Sequence, residues 1–132
     1  MVRILIAEDD LASRKVISKF LSNYGECDIT IDGMEALEAF MMAWDEGRPY
    51  DLICLDIMMP ELDGIKTLKA IRDIETQKGL KEDKRAKIIM TTALNDKDSV
   101  MNAFETGCEA YAAKPLNMDK LAEVMKKLNL IR

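Results

Sequence analysis

Histidine is absent from the 132 residues of the chain. That absence excludes histidine-based triads, histidine–zinc sites and imidazole acid–base catalysis. Cysteine is scarce: Cys27, Cys54 and Cys108 are an odd number without metal-ligand spacing. Cys27 and Cys54 stand in apolar, strand-like segments. They read as small hydrophobes in a reducing compartment, so a cytoplasmic location is expected. No apolar run approaches the ~20 residues that cross a bilayer, and the apolar start, Met1 to Ala7, is too short for a signal peptide and runs straight into acids. An excess of basic charge is missing too. The formal net charge is −5, which argues against direct binding to nucleic acid or to an anionic membrane. The remaining composition, 48% apolar and 33% charged, is that of one globular domain spanning residues 1–132.

Periodicity along the chain alternates between short apolar runs and longer amphipathic stretches. Val2 to Ala7 reads as a strand buried on both faces. From Leu11 to Tyr24, Val16, Ile17, Phe20, Leu21 and Tyr24 recur at helical spacing, with Gly25 closing the stretch. Cys27 to Ile31 reads as a second strand with Ile29 and Ile31 on one face. A helix opened by Asp32-Gly33 carries Met34, Leu37, Phe40, Met41 and Trp44. Asp51 to Leu55 forms a third strand leading directly into Asp56, and a helix after Gly64 turns Ile65, Leu68, Ile71 and Ile74 inward. Gly79 to Lys87 is a charged, exposed extension before a fourth strand, Ile88 to Thr91. A helix from Lys97 to Thr106 follows, stopped by Gly107 just past its end. A fifth strand, Ala110 to Ala113, precedes Lys114-Pro115 and a last helix with Leu121, Val124, Met125 and Leu128. The ten methionines are expected mostly at helix-core positions as adaptable filler.

Five strand–helix alternations predict an α/β domain with a doubly wound, five-stranded parallel sheet and helices on both faces. The common strand order for five is 2-1-3-4-5. In such sheets ligands bind beyond the carboxyl ends of the strands, where the strand order reverses. The polar residues fall there: Glu8-Asp9-Asp10 after the first strand, Asp56 after the third, Thr91-Thr92 in the fourth and Lys114 after the fifth. Each has an ordinary explanation taken alone: a helix cap, a β-forming threonine, a surface lysine. Their coincidence at four strand ends points to a site.

Two carboxylates ~4 Å apart at an effective dielectric near 20 repel by roughly 4 kcal/mol. Such a cluster is tolerated by raised pKa values, by a bound cation, or by both. All-oxygen donors suit a hard cation such as Mg2+, which keeps several waters and binds phosphate. Acids on one side and a lysine on the other make a place for a phosphoryl group.

Glu8-Asp9-Asp10, Asp56-Ile57-Met58-Met59-Pro60 with Gly64 eight residues after the aspartate, Thr92-Ala93, and Tyr111-Ala112-Ala113-Lys114-Pro115 together resemble response-regulator receiver domains along the whole chain. The chain is similar especially to stand-alone, chemotaxis-type regulators. The resemblance implies that Asp56 is the phosphoacceptor. It implies further that Asp9 binds Mg2+ (or Mn2+) directly, Glu8 through water, and that Asp56 and the backbone carbonyl of Met58 complete the set. An acidic pair of Asp9 and Asp10 is the alternative. Lys114 would pair with the phosphoryl oxygens, Thr92 would hydrogen-bond to them, Tyr111 would follow Thr92, and Pro115 would follow a cis bond. Met58 and Leu94 would frame the path of the hydrolytic water. Both are apolar, which implies slow self-dephosphorylation in a switch that is not otherwise an enzyme.

The implied partners are a sensor histidine kinase or phosphotransfer protein, and a downstream target that docks on the last two helices and the fifth strand. The protein would be a monomer or a phosphorylation-dependent dimer. The sequence ends near Arg132 without a linker, which leads to the expectation of a stand-alone regulator; excision from a larger multidomain regulator or hybrid kinase is the alternative. A flavodoxin-like FMN carrier shares the topology but needs a Ser/Thr/Gly phosphate loop where this chain has acids. A phosphatase with an aspartyl nucleophile needs a second aspartate where Met58 stands.

Overall fold

The computed structural model describes residues 2–93 and 97–132. Its elements follow in chain order: β1 Val2–Ala7, α1 Leu11–Leu21, β2 Gly25–Thr30, α2 Gly33–Asp45, β3 Leu52–Asp56, α3 Gly64–Gln77, β4 Lys87–Ala93, α4 Lys97–Thr106, β5 Ala110–Lys114 and α5 Met118–Lys127. All pairings are parallel and the strand order is 2-1-3-4-5, as the strand–helix alternation predicts. The central strand β3 is buried at every position, as expected where helices cover both faces.

Each face of the sheet has its own core. Leu5, Ile53, Leu55, Ile88 and Met90 meet α2, α3 and α4 through Phe40, Leu68, Ile71 and Ala103. Ile4, Ile6, Cys54 and Ile89 meet α1 and α5 through Ile17, Leu21, Leu121 and Met125. Four helices begin at an Asx cap. Asp10, Asp32, Asp63 and Asn117 accept hydrogen bonds from the backbone N–H groups of Ser13, Glu35, Lys66 and Lys120 at 2.8–3.1 Å, each contributing about 1 kcal/mol.

The amino ends of β4 and β5 are tied to α3 by Arg72. Its guanidinium donates to Glu75 (2.6 Å), to both oxygens of Glu109 (2.6 and 2.7 Å) and to the carbonyls of Ala86 and Gly107 (2.9 and 3.0 Å). Glu75 is fully buried and also accepts from the Ala86 N–H, so the buried charges are hydrogen-bonded throughout. The Gly79 to Lys87 stretch is largely exposed, with a 3-10 turn at Glu82–Lys84 and Ala86 buried.

Several expectations are corrected. α1 ends at Leu21 rather than near Tyr24, and Val16 faces solvent. Gly25 does not close that helix but opens β2, where a Cβ would lie 1.9 Å from the Val2 carbonyl oxygen. The second strand is Gly25–Thr30, not Cys27 to Ile31. Ile29 and Ile31 are 49% and 46% exposed because β2 is an edge strand. The methionines are the largest departure. Met34, Met41, Met42, Met58 and Met101 are exposed, and Met125 alone among the described residues is a buried helical methionine. Phe40 together with the small residues Ala36 and Ala43 carries the buried side of α2 instead.

One glycine sets the approach of α3 to the end of β3. The Gly64 N–H donates to the Ile57 carbonyl at 2.9 Å, and a Cβ there would lie 2.2 Å from the Asp56 carbonyl oxygen. Gly64→Ala therefore has to move α3 away from the strand, and chemical denaturation should show a loss of about 1–3 kcal/mol. A variant as stable as the wild type would mean that this contact is not tight.

Candidate functional site

Parallel pairing brings the ends of β1, β3, β4 and β5 to one edge of the sheet. Asp56, the last residue of β3, is 4% exposed and Glu8, just past β1, is 1% exposed. Asp9 beside them is exposed, and carboxylate oxygens of Glu8, Asp9 and Asp56 lie within 4.8 Å of one another. Lys114 at the end of β5 reaches across to both buried acids. Its ammonium is 3.1 Å from Asp56 Oδ2, to which it donates, and 2.6 Å from Glu8 Oε1. The shorter contact is a close ion pair. Asp56 Oδ1 accepts from the Met58 N–H at 3.2 Å.

Burial, followed by the adjacent Glu8 carboxylate, pushes the Asp56 carboxyl up to about 7, with Lys114 acting in the opposite sense. For Lys114, burial works to lower the ammonium pKa, but its contacts with Glu8 and Asp56 prevail and hold it above the ordinary lysine value. The site is thus short of positive charge: one ammonium faces three carboxylates. A small hard cation fits this donor set, since the oxygens of three carboxylates lie close together with one ammonium to balance them.

The alternative pairing of Asp9 with Asp10 is not what the structure assembles. Asp10 caps α1, accepting from Ser13, and that hydrogen bond holds its carboxyl below the usual range. Its own N–H donates to Glu8 Oε2 at 3.2 Å. Thr92 is buried in β4, one residue beyond the Thr91 that pairs with Asp56. Tyr111 in β5 is 46% exposed, with its ring edge-on to Phe104 of α4 at 5.9 Å. The Lys114–Pro115 peptide is cis. Met58 projects into solvent, 67% exposed, and Leu94 lies outside the described residues.

Arg14 of α1 went unrecognised in the sequence. It donates to the Glu8 carbonyl at 3.0 Å and reaches the Asp9 carbonyl at 3.4 Å, bracing the turn that carries both acids. Its position four residues after the cap Asp10 puts it one helical turn above that turn, the signal that could have found it.

The family model for the response regulator receiver domain matches residues 4–126. The chemotaxis protein CheY of Bacillus subtilis is 32% identical over 125 residues, covering 95% of each chain. The hybrid signal transduction histidine kinase L of Dictyostelium discoideum is also 32% identical, over 126 residues, but these are 95% of this chain and only 7% of the kinase. Among solved structures, the CheX-CheY-BeF3-Mg+2 complex from Borrelia burgdorferi superposes with a TM-score of 0.81 at 25% identity, covering 99% of this chain and 90% of the other.

Linkage gives the sign of a pH effect. The Asp56 carboxyl is about 7 in the folded chain against 3.8 for the ordinary group, so between those values the native state holds a proton that the unfolded chain has released. This contribution to stability is complete below the lower value and is lost as pH rises through the upper one. In metal-free buffer, the wild-type Tm should fall from about pH 6 to about pH 8 by roughly 3 °C more than that of Asp56→Asn. Parallel Tm profiles for the two proteins would remove Asp56 as the titrating group.

Proposed function

The chain belongs to the response-regulator receiver family, the signalling switches of two-component phosphorelays, and from that premise we propose that Asp56 is its phosphoacceptor. The observation that carries this reading is the placement of Asp56: buried at the end of β3, with Lys114 on one oxygen and Glu8 and Asp9 beside it. A phosphohistidine on a sensor kinase or phosphotransfer protein would be the donor. An Asp56 oxygen attacks phosphorus, the O–P bond forms as the P–N bond breaks, and the product is an acyl phosphate. Attack needs the ionised carboxylate, so the proton that the raised pKa retains near neutrality has to leave first.

Glu8, Asp9, Asp56 and the Met58 carbonyl would hold Mg2+, or Mn2+ in its place, and the ion would supply positive charge beside the phosphoryl oxygens. The Borrelia burgdorferi complex that this chain resembles contains Mg2+, which supports a magnesium ion as the cation. Lys114, already hydrogen-bonded to Asp56 Oδ2, would follow the negative charge onto the phosphoryl group, and Thr92 would donate a hydrogen bond to it. Tyr111 would reorient with Thr92 and change the surface of α4, β5 and α5, where a downstream target docks. Tyr111, Phe104 and Met101 are exposed on that surface already. The change is a shift between two populations biased by a local charge event. The protein acts as a switch rather than as a turnover enzyme, as a monomer or a phosphorylation-dependent dimer. The Met58 side chain offers no hydrogen bond to an attacking water, which favours slow self-dephosphorylation.

Acetyl phosphate with Mg2+ should label the protein once, at Asp56, as a base-labile acyl phosphate, seen by intact-mass and peptide mass spectrometry. Asp56→Asn should take up no label, because an amide is not a competent nucleophile. Lys114→Ala should still be labelled but should lose the Tyr111 response. Undiminished labelling of Asp56→Asn would overturn the assignment.

A further inference from the structure

The exposed methionines of α2 lie in the most acidic part of the chain. Residues 20–47 contain seven acids and no lysine or arginine, which leaves the rest of the chain net +2 against an overall −5. At 100° per residue, Met34, Glu35, Glu38, Met41, Met42 and Asp45 share an arc of about 120°. All six are exposed, while Ala36, Phe40 and Ala43 face the core. Met34, Met41 and Met42 are 45%, 42% and 61% exposed, and Ile31, leading into the helix, is 46% exposed. Among the described residues neither Glu38 nor Asp45 has an ion-pair partner. Single exposed apolar residues are ordinary, but an apolar stripe rimmed by unpaired charge of one sign marks an interaction surface.

We infer that the outer face of α2 is a docking surface for a basic amphipathic helix of a partner protein. The charge selects this occupant. A second copy docked by the same face would set acids against acids, and an anionic lipid surface would be repelled. A helix with one apolar and one cationic side satisfies both parts of the face, laying leucine-like side chains on flexible, polarisable methionines while its lysines or arginines meet Glu38 and Asp45. The surface lies apart from the α4–β5–α5 face and does not depend on the phosphorylation reading. Its acids act on encounter rate and partner choice, its methionines on residence.

The test uses the full, unphosphorylated chain and a synthetic amidated peptide of about 18 leucine and lysine residues with one apolar and one cationic face, in about 0.15 M NaCl. The control peptide has the same composition in an order that forms no face. NMR amide shifts should move along residues 31–46 on adding the amphipathic peptide, and the control should bind at least tenfold more weakly. The Glu38→Lys, Asp45→Lys double variant and the Met41→Ser, Met42→Ser double variant should each lose at least tenfold in affinity, with undisturbed amide spectra showing that both are folded. Shifts centred elsewhere, equal binding of the control, or affinity unaffected by either double variant would overturn the proposal. So would shifts along α2 that grow with protein concentration alone, since these would make the occupant a second copy.

Discussion

One ammonium group held between two buried carboxylates organises the carboxyl edge of the sheet. Lys114 meets Asp56 and Glu8 from the far end of the sheet. Its charge is what permits two acids that are almost wholly screened from water to lie side by side. That contact requires β1, β3 and β5 to end at the same level, which parallel register provides. It also requires the β3–α3 loop to turn back tightly, which Gly64 permits by leaving no Cβ against the Asp56 carbonyl. The balance is incomplete, since three carboxylates face one cation. An edge that already lacks positive charge responds strongly to any added anion or divalent cation that changes the count.

Compensated and under-compensated charge occupy opposite ends of the sheet. At the amino ends of the strands, Arg72 has hydrogen-bond acceptors for its whole guanidinium, and Glu75 and Glu109 are held by it and by backbone N–H groups. At the carboxyl ends, charges are left under-compensated and Asp56 is driven away from its ordinary ionisation. A closed network of charge-assisted hydrogen bonds keeps β4 and β5 in place at one end, so that rearrangement at the other need not disturb the core. The acidic, methionine-bearing face of α2 belongs to neither end.

The sheet and most of the site were legible because burial on both faces leaves a plain mark. Val2–Ala7, interrupted only by Arg3, and Leu52 to Leu55 are apolar runs that stop abruptly at acids, and the stops coincide with the strand ends. The edge strand was less legible. In β2 one side of each residue pair is uncovered, so Ile29 carries no more information about burial than Glu26 does. The α2 methionines were misread for a related reason: helical spacing reports that residues share a face, not which of two apolar faces meets the sheet. Ala36 and Ala43, small enough to let the helix approach, define the buried side. Nothing in the local sequence joins Arg72 to Glu109, 37 residues away. Arg72 and Glu75 by themselves read as a solvated pair on a helix surface.

The central claim is that cation and proton compete for Asp56 beside Lys114. Calorimetric titration with Mg2+ in buffers of different ionisation enthalpy measures that competition directly. With the Asp56 carboxyl at about 7, binding at about pH 7 should release roughly half a proton per ion, and at about pH 9 almost none, while Asp56→Asn should release none at either pH. A wild-type binding heat that is independent of buffer at pH 7, or proton release that survives in Asp56→Asn, would contradict the account.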